Sequence, residues 1–187
     1  MKTLIVYGTR YGATAETSEQ IAKALRAEDF DVKVVNLKEE KIKDVSEYEL
    51  IIIGSGIQME KWVGNAEDFL KKFHKSLSKK KTAIFVSSAF VPLNALQGKT
   101  AEVEHAQEKY LRQKVADYSL KPIDTAIFGG VLDFNTMGFL ARKTMGGAKA
   151  TFEGAGYKEI KPGVYDTRDW NVIGDWARKI ILKARYL

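Results

Sequence analysis

Short apolar runs alternate with longer amphipathic stretches along this chain. The apolar runs have the length of strands, and Leu50-Ile51-Ile52-Ile53 contains no polar residue, which is typical of a strand buried on both faces. The longer stretches repeat apolar residues every three or four positions, which is typical of helices. We therefore predict strands over 4–7, 31–37, 50–53, 82–86 and 126–128, and helices over 15–27, 65–74, 100–118, 136–145 and 169–184.

This alternation predicts an α/β fold, a doubly wound five-stranded parallel sheet with helices on both faces. If the strand order is 2-1-3-4-5, the ligand crevice lies at the carboxyl ends of the first and third strands. A length of 187 residues and a hydrophobic fraction of 45% predict one domain over residues 1–187. Residues 146–167 contain several glycines and are predicted as an irregular segment, which either covers a substrate or only runs over the surface.

The turn after the first strand is the strongest candidate for a binding site. A helix N-terminus presents unpaired N–H groups and attracts phosphate, and here two threonines could add hydroxyl donors. The spacing of the glycines matches neither a Walker A loop nor a Rossmann fingerprint. We predict a phosphate cradle, although Thr14 could instead be only a helix N-cap and Gly12 only a turn residue. The predicted cradle comprises Thr9, Arg10, Tyr11, Gly12, Ala13 and Thr14.

Two further turns are expected at the same crevice. The turn after the third strand holds small residues, and the turn after the fourth strand is first small and polar, then apolar. Because the carboxyl ends of parallel strands meet at one edge, the three turns should form one site that could hold a flat ring beside a phosphate. The second turn comprises Gly54, Ser55, Gly56, Ile57 and Gln58, and the third comprises Ser87, Ser88, Ala89, Phe90, Val91 and Pro92.

Composition narrows the chemistry. The chain has no cysteine, which excludes disulfides and thiolate nucleophiles, and its two histidines, His74 and His105, lie in charged helical stretches where surface exposure is expected. We therefore name no catalytic side chain and no metal site. The net charge of +6 favours anionic partners, but the cations are not interleaved with aromatic residues, so nucleic acid is not expected. No signal peptide or membrane-spanning run is seen, which predicts a cytoplasmic protein.

The segment Thr9-Arg10-Tyr11-Gly12-Ala13-Thr14 resembles the phosphate loop of flavodoxins, usually T-x-T-G-x-T, without its middle hydroxyl residue. The form Thr-Arg-x-Gly-x-Thr is most similar to the flavodoxin-type, menaquinone-dependent protoporphyrinogen oxidases. The run Ile53-Gly54-Ser55-Gly56-Ile57 and the ending Tyr165-Asp166-Thr167-Arg168-Asp169-Trp170 resemble the same family. The resemblance covers nearly the whole chain.

The resemblance implies non-covalent FMN, with its phosphate in the turn 9–14 and its ring held by the segments 54–62 and 87–92. Trp62 and Phe90 are candidates for stacking on the ring, and each could instead be a packing residue. The implied activity is oxidation of protoporphyrinogen with a quinone acceptor, and peripheral contact with an anionic membrane would suit the basic charge. An electron carrier between redox proteins is the alternative within the same resemblance.

Two other classes of protein remain as alternatives. A receiver-type signalling domain shares the strand order, but it needs acidic residues where this chain has glycines and hydroxyls. A flavin-free binding or scaffold module would keep the fold without the chemistry. The absorption spectrum of the native protein separates this last alternative from a flavoprotein, whereas the sequence does not indicate an oligomeric state.

Overall fold

The computed structural model describes residues 1–136 and 147–186. Five parallel strands form the main sheet in the spatial order β2-β1-β3-β5-β6, and a short strand, β4, pairs antiparallel with β3. The predicted order is confirmed, since β5 and β6 are the fourth and fifth parallel strands along the chain. The bounds are β1 Lys2–Gly8, β2 Asp31–Asn36, β3 Leu50–Gln58, β4 Lys61–Trp62, β5 Lys81–Ser87 and β6 Asp124–Phe128.

Helices cover both faces of this sheet. The helices are α1 Ala13–Arg26, α2 Gly64–Leu77, α3 Phe90–Leu96, α4 Thr100–Gln107, α5 Gln113–Asp117, α6 Ala148–Gly154 and α7 Trp170–Tyr186. A π-type turn, Glu108–Arg112, joins α4 to α5. Apolar residues of α2 and of the stretch from α4 to the π-type turn pack in one core, and those of α1 and α7 pack in the other. In α1, α2 and α7 the buried positions recur at intervals of three and four, which explains why these segments fold as helices.

The third strand is longer than predicted, which corrects the interpretation of residues 54–58 as a turn. Gly54 and Ser55 pair with β1, and Gly54 to Gly56 pair with β5, so the ladder continues past Ile53. Ile57 and Gln58 then pair with β4 in a two-residue hairpin. Similarly, the predicted turn 87–92 ends early, because Phe90 already begins α3 and Pro92 fits its first turn.

The interpretation of residues 146–167 as irregular is also wrong for the described part. Helix α6 is followed by the strands β8 Glu159–Lys161 and β9 Val164–Asp166, and β9 pairs with β7 Val131–Asp133. The resulting sheet, β7-β9-β8, packs Leu132 and Tyr165 against Phe152 of α6. The helix predicted over 136–145 lies, except for Thr136, outside the described residues. Among the described helices, none has both the length and the apolar character needed to cross a bilayer.

Candidate functional site

A cavity of about 730 Å³ lies where the carboxyl ends of β1, β3 and β5 meet. This volume is within the range of small-molecule sites, which span roughly 300–1,000 Å³. All three predicted segments contribute to its wall, as the strand order requires. The predicted site residues that line it are Thr9, Arg10, Tyr11, Ala13, Thr14, Gly56, Ile57, Gln58, Ser87, Ser88, Ala89, Phe90 and Val91.

One end of the cavity is formed by the turn that leads into α1. Gly12 has a φ of 90°, a left-handed conformation that favours glycine, and its N–H donates to Thr9 Oγ1 at 3.0 Å. Gly12 is the N-cap, so Thr14 is not, and no side chain in the described part of the chain caps α1. The first N–H groups of α1 therefore have no side-chain acceptor. Thr14 is buried beside them on the cavity wall.

Ser87 adds a second polar feature to the cavity wall. Its side chain is buried at the carboxyl end of β5, and its Oγ has no hydrogen-bond partner among the residues that the structure describes. A buried hydroxyl without a partner costs free energy, which a ligand in the cavity would recover by hydrogen bonding. Together with the uncapped helix, Ser87 indicates that a polar ligand belongs in this cavity.

Of the residues named for the three turns and for stacking, five do not line the cavity: Gly12, Gly54, Ser55, Trp62 and Pro92. Gly54 is small for another reason, since a Cβ there would lie 2.3 Å from the ring of Phe85. Ser55 Oγ accepts the N–H of Val63 at 3.0 Å and so helps to fix the start of α2. Gly54 and Ser55 therefore have structural roles in the strand and at the start of α2, and neither lines the cavity.

Trp62 belongs to the core and not to the cavity wall. It is 6% exposed, and its Nε1–H donates to the carbonyl oxygen of Tyr110 at 2.9 Å. These contacts favour the alternative given for Trp62, a packing residue, over stacking on a ring in the cavity. Phe90, the other stacking candidate, does line the cavity, and it packs edge-on against Phe152 with the ring centroids 5.5 Å apart.

Sequence reasoning missed the wall opposite the phosphate end. Ala106 and Tyr110 lie on the predicted helix 100–118, which was not assigned to the site, and His105 was expected at the surface, yet all three line the cavity. The signal that could have identified them is their spacing, since 102, 105, 106 and 110 share one helical face. Met59 and Glu60 line the cavity within the predicted segment 54–62, and residues 130–133 line it within the segment after the fifth parallel strand that the resemblance also implies. The lining residues outside every predicted segment are Val63, Asn94, Ala101, Glu102, His105, Ala106 and Tyr110.

The hairpin between β3 and β4 forms the rim of the cavity. Its two turn residues, Met59 and Glu60, have φ values of 47° and 58°, and such a turn usually takes Asn-Gly. Lys109 Nζ lies 2.6 Å from Glu60 Oε2 and so joins the hairpin to the opposite wall. The hydrogen bond from Lys109 lowers the pKa of Glu60, and burial together with the charge of Glu60 raises the pKa of Tyr110.

This arrangement can hold an anion and a planar group side by side. N–H and hydroxyl donors concentrate at the start of α1, while Ile57, Ala89 and Phe90 give the adjoining wall an apolar surface. Among residues 1–136 and 147–186, no group of three or more His, Asp or Glu side chains is placed to hold a metal ion.

Comparison with known proteins identifies relatives of this chain. The family model described as a flavodoxin domain matches residues 4–155. Protoporphyrinogen IX dehydrogenase (quinone) of Escherichia coli K12 is 26% identical, and the match covers 96% of this chain and 94% of that protein. A flavodoxin of Maridesulfovibrio salexigens is 27% identical over 45% of this chain and 61% of its own length.

Solved structures show the same fold. A short-chain flavodoxin associated with a bacterial microcompartment has a TM-score of 0.57 and 12% identity, with 98% of this chain and 99% of that chain covered. An archaeal flavodoxin has a TM-score of 0.54 and 16% identity, with coverages of 97% and 99%. The family match extends over most of the chain, and the parallel sheet has the strand order of this fold. The chain belongs to the flavodoxin family.

Proposed function

We propose that this protein binds FMN non-covalently and oxidises a small organic substrate, with a quinone as the electron acceptor. The observation that carries the proposal is the uncapped N-terminus of α1, which opens into a cavity of suitable size beside the hydroxyl of Thr14. The unpartnered Oγ of Ser87 supports it, because the polar atoms of a flavin ring could satisfy that hydroxyl. The residues present therefore fit a phosphate ester of a planar ring.

The proposed phosphate site uses the turn 9–14. Backbone N–H groups at the start of α1 and the hydroxyl of Thr14 would bind the phosphate, while Thr9 holds the turn through its bond with Gly12. The guanidinium of Arg10 would add a positive charge at the same end. This set of donors needs no lysine, in contrast to a Walker A loop.

The proposed ring site uses Tyr11, the strand end at Gly56, Ile57 and Gln58, and the segment 87–91. Bound FMN supplies the acceptor for a hydride or for single electrons. The residues of this chain would hold the ring, hydrogen-bond its polar atoms and exclude water. Trp62 is left out of this set because it lies in the core.

The wall opposite the phosphate end supports an enzyme over a carrier. Asn94, Glu102, His105 and Asp133 line the cavity beyond the segments assigned to the flavin, which leaves room for a reactant inside the protein. A carrier needs only an exposed ring edge. The E. coli relative is named as a protoporphyrinogen IX dehydrogenase, so we propose a porphyrinogen as the substrate to test first.

An electron carrier is the second candidate, and one observation favours it. Flavodoxins are among the relatives, and the mouth of the cavity is bordered by the exposed Met59 and Tyr11, which a partner protein could contact. The net charge of +6 would then require an acidic partner protein. The same charge suits peripheral contact with an anionic membrane, which cosedimentation with anionic and neutral vesicles would test.

Anaerobic titration of the FMN-loaded protein distinguishes these candidates. We expect protoporphyrinogen to bleach the flavin absorption in stoichiometric amounts, and a quinone to restore it. Reduction only by another redox protein would support the carrier and contradict the enzyme. A protein that is colourless as purified and does not take up FMN would contradict both, and would favour a flavin-free binding module.

A further inference from the structure

Arg168 lies buried behind the first turn of α1. Its side chain is 4% exposed, and its Nη1 is 2.7 Å from Glu16 Oε2 and 3.4 Å from the carbonyl oxygen of Ala13. Nε and Nη2 donate to the carboxylate of Asp166 at 2.9 and 2.7 Å. The guanidinium also lies over the ring of Trp170, 4.5 Å from its centroid. All of its hydrogen-bonding nitrogens are therefore held in place.

The location of this cation is unfavourable for the helix itself. A helix N-terminus carries a partial positive charge, so a cation beside it is destabilising, and burial of the cation adds a desolvation cost. Burial disfavours the charged guanidinium, but hydrogen bonds to Asp166 and Glu16 more than offset this and raise the pKa of Arg168. Arg168 thus remains charged. The carboxylates of Asp166 and Glu16 neutralise this charge, and without Arg168 both would be left unpaired beside the start of α1, where they would repel a bound anion.

The neighbouring Thr167 joins the same segment to the other side of the cavity. Its Oγ1 accepts the N–H of Gly130 at 3.0 Å and lies 3.1 Å from the carbonyl oxygen of Gly130, to which it donates. Gly130 lines the cavity, as Ala13 does. A Cβ on Gly129 would lie 2.0 Å from the carbonyl oxygen of Thr167, so this approach requires glycine. The segment 166–168 therefore fixes two walls of the cavity relative to each other.

We propose that Arg168 is a positioning residue for the phosphate of the flavin. It acts through Ala13 and Glu16, which keep the first turn of α1 in the orientation that presents its N–H groups, and it neutralises two carboxylates that would otherwise repel a dianion. Its effect is specific for a ligand that carries phosphate. This inference rests on the proposed function.

The test compares FMN with riboflavin, which has the same ring and no phosphate. Fluorescence titration of the apoprotein gives Kd for each ligand. The ratio of Kd for riboflavin to Kd for FMN measures what the phosphate contributes to binding. For Arg168→Gln we expect Kd for FMN to rise by about tenfold or more, with Kd for riboflavin within about twofold of the wild-type value. Arg168→Lys keeps the positive charge but loses the planar guanidinium, so it should lower this ratio less than Arg168→Gln does. If the Gln variant does not fold, the Lys variant decides by the same ratio.

Arg185→Gln is the matched control. Arg185 also combines a carboxylate and an aromatic partner, with Nη1 3.1 Å from Glu28 Oε2 and the guanidinium 5.5 Å from the ring of Phe30, but it lies near the opposite end of α1. Arg185→Gln should therefore leave the ratio of the two Kd values unchanged.

Two outcomes would overturn the inference, and they are distinguishable. If Arg168→Gln leaves the ratio of the two Kd values unchanged, whether it weakens the binding of both ligands equally or of neither, the role of Arg168 alone is overturned. Wild-type protein that binds neither ligand, or binds both equally, would overturn the proposed function and this inference with it.

Discussion

Thr14 and Thr17 are buried threonines of α1 with different surroundings. Thr14 lines the cavity, and its Oγ1 lies close to Gly56, 3.3 Å from where a Cβ would stand. Thr17, nearly one turn later, is fully buried, and its Oγ1 has no hydrogen-bond partner within the described part of the chain. The two residues therefore separate the effect of a hydroxyl at the site from that of a hydroxyl in the core.

We predict that Thr14→Val weakens FMN binding by about 1.5–3 kcal/mol, because a hydrogen bond to a charged group contributes roughly this much. Binding of riboflavin should change far less. Thr17→Val, which removes an unpartnered hydroxyl of the same size, should leave both affinities unchanged. Titration of the three proteins with both ligands checks this, and equal losses in the two variants would contradict a phosphate contact of Thr14.

At this scale the sequence predicts residue types better than residue roles. The placement of Thr14 and Ser87 on the cavity wall could be predicted, because both follow strands whose carboxyl ends meet at one edge of the sheet. Gly54 and Trp62 were assigned to the site from their place in the chain, but packing decides their roles. The ring of Phe85 requires Gly54 to be small, and a carbonyl far along the chain binds Trp62. Neither contact can be read from local spacing.

Between α4 and α5 the backbone widens into the π-type turn Glu108–Arg112, where the carbonyl oxygen of Tyr110 accepts the N–H of Trp62. Such turns occur frequently at functional sites, and here the same residue, Tyr110, lines the cavity. The hydrogen bond therefore connects the hairpin at the cavity rim with the helix on the opposite wall.

We predict that Trp62→Phe destabilises the protein by about 0.5–1.5 kcal/mol more than a control substitution, because the buried carbonyl of Tyr110 loses this hydrogen bond. Trp176→Phe is that control. Trp176 is similarly buried, at 7% exposure, and its Nε1 has no partner in residues 1–136 and 147–186. Urea unfolding measures both free energies. Equal losses would contradict a stabilising role for the Trp62–Tyr110 hydrogen bond.

The elements that the sequence did not predict are short strands and strand ends, which form by pairing with neighbouring strands. The last residues of β3 read as a turn because of Gly54 and Gly56, but two neighbouring strands and a hairpin extend the strand. Pro162-Gly163 did carry a usable signal for the β8–β9 hairpin, since Gly163 has a φ of 74° and Pro-Gly favours such a turn. The pairing of β9 with the distant β7 gave no local signal.

For the whole molecule, one partly buried ion pair gives a prediction for pH. Glu67 of α2 accepts hydrogen bonds from Lys114 Nζ, at 3.0 Å, and from the hydroxyl of Tyr118. Burial favours the protonated carboxyl, but the hydrogen bonds from Lys114 and Tyr118 outweigh it, so the pKa of Glu67 is lowered. This interaction joins α2 to α5, which contains Lys114 and ends just before Tyr118.

The direction of the pH effect follows from this lowered pKa. A carboxylate with a lowered folded pKa stabilises the fold above its unfolded pKa, about 4.3 for Glu, and the contribution is lost as the pH falls through the folded value. We therefore predict that Glu67→Gln is less stable than wild type at pH 7, and that the difference shrinks towards pH 3.

Urea unfolding at a series of pH values between about 3 and 7 measures the free energy of unfolding of the wild type and of Glu67→Gln. Glu19→Gln removes one charge from a side chain that is more than half exposed and serves as the control. It should give a stability difference that is small at every pH. A difference for Glu67→Gln that stays constant from neutral to acid pH would contradict the prediction.

The strand order of the main parallel sheet was the most predictable feature of the whole molecule. Alternating strands and helices restrict a parallel sheet to few orders, and the order found brings β1, β3 and β5 together at one edge. The wall formed by α4 and the π-type turn could not be located in this way. Its position depends on how the helix packs across the sheet, which periodicity alone does not determine.

The most direct test of the account is a crystal structure of the protein in complex with FMN. The account predicts that the phosphate lies within about 2.7–3.0 Å of Thr14 Oγ1 and of N–H groups at the start of α1, with no lysine in contact. It also predicts the ring between the strand end at Ile57 and the segment 87–91. An FMN phosphate bound away from the turn 9–14, or a cavity that stays empty in crystals grown with saturating FMN, would contradict it.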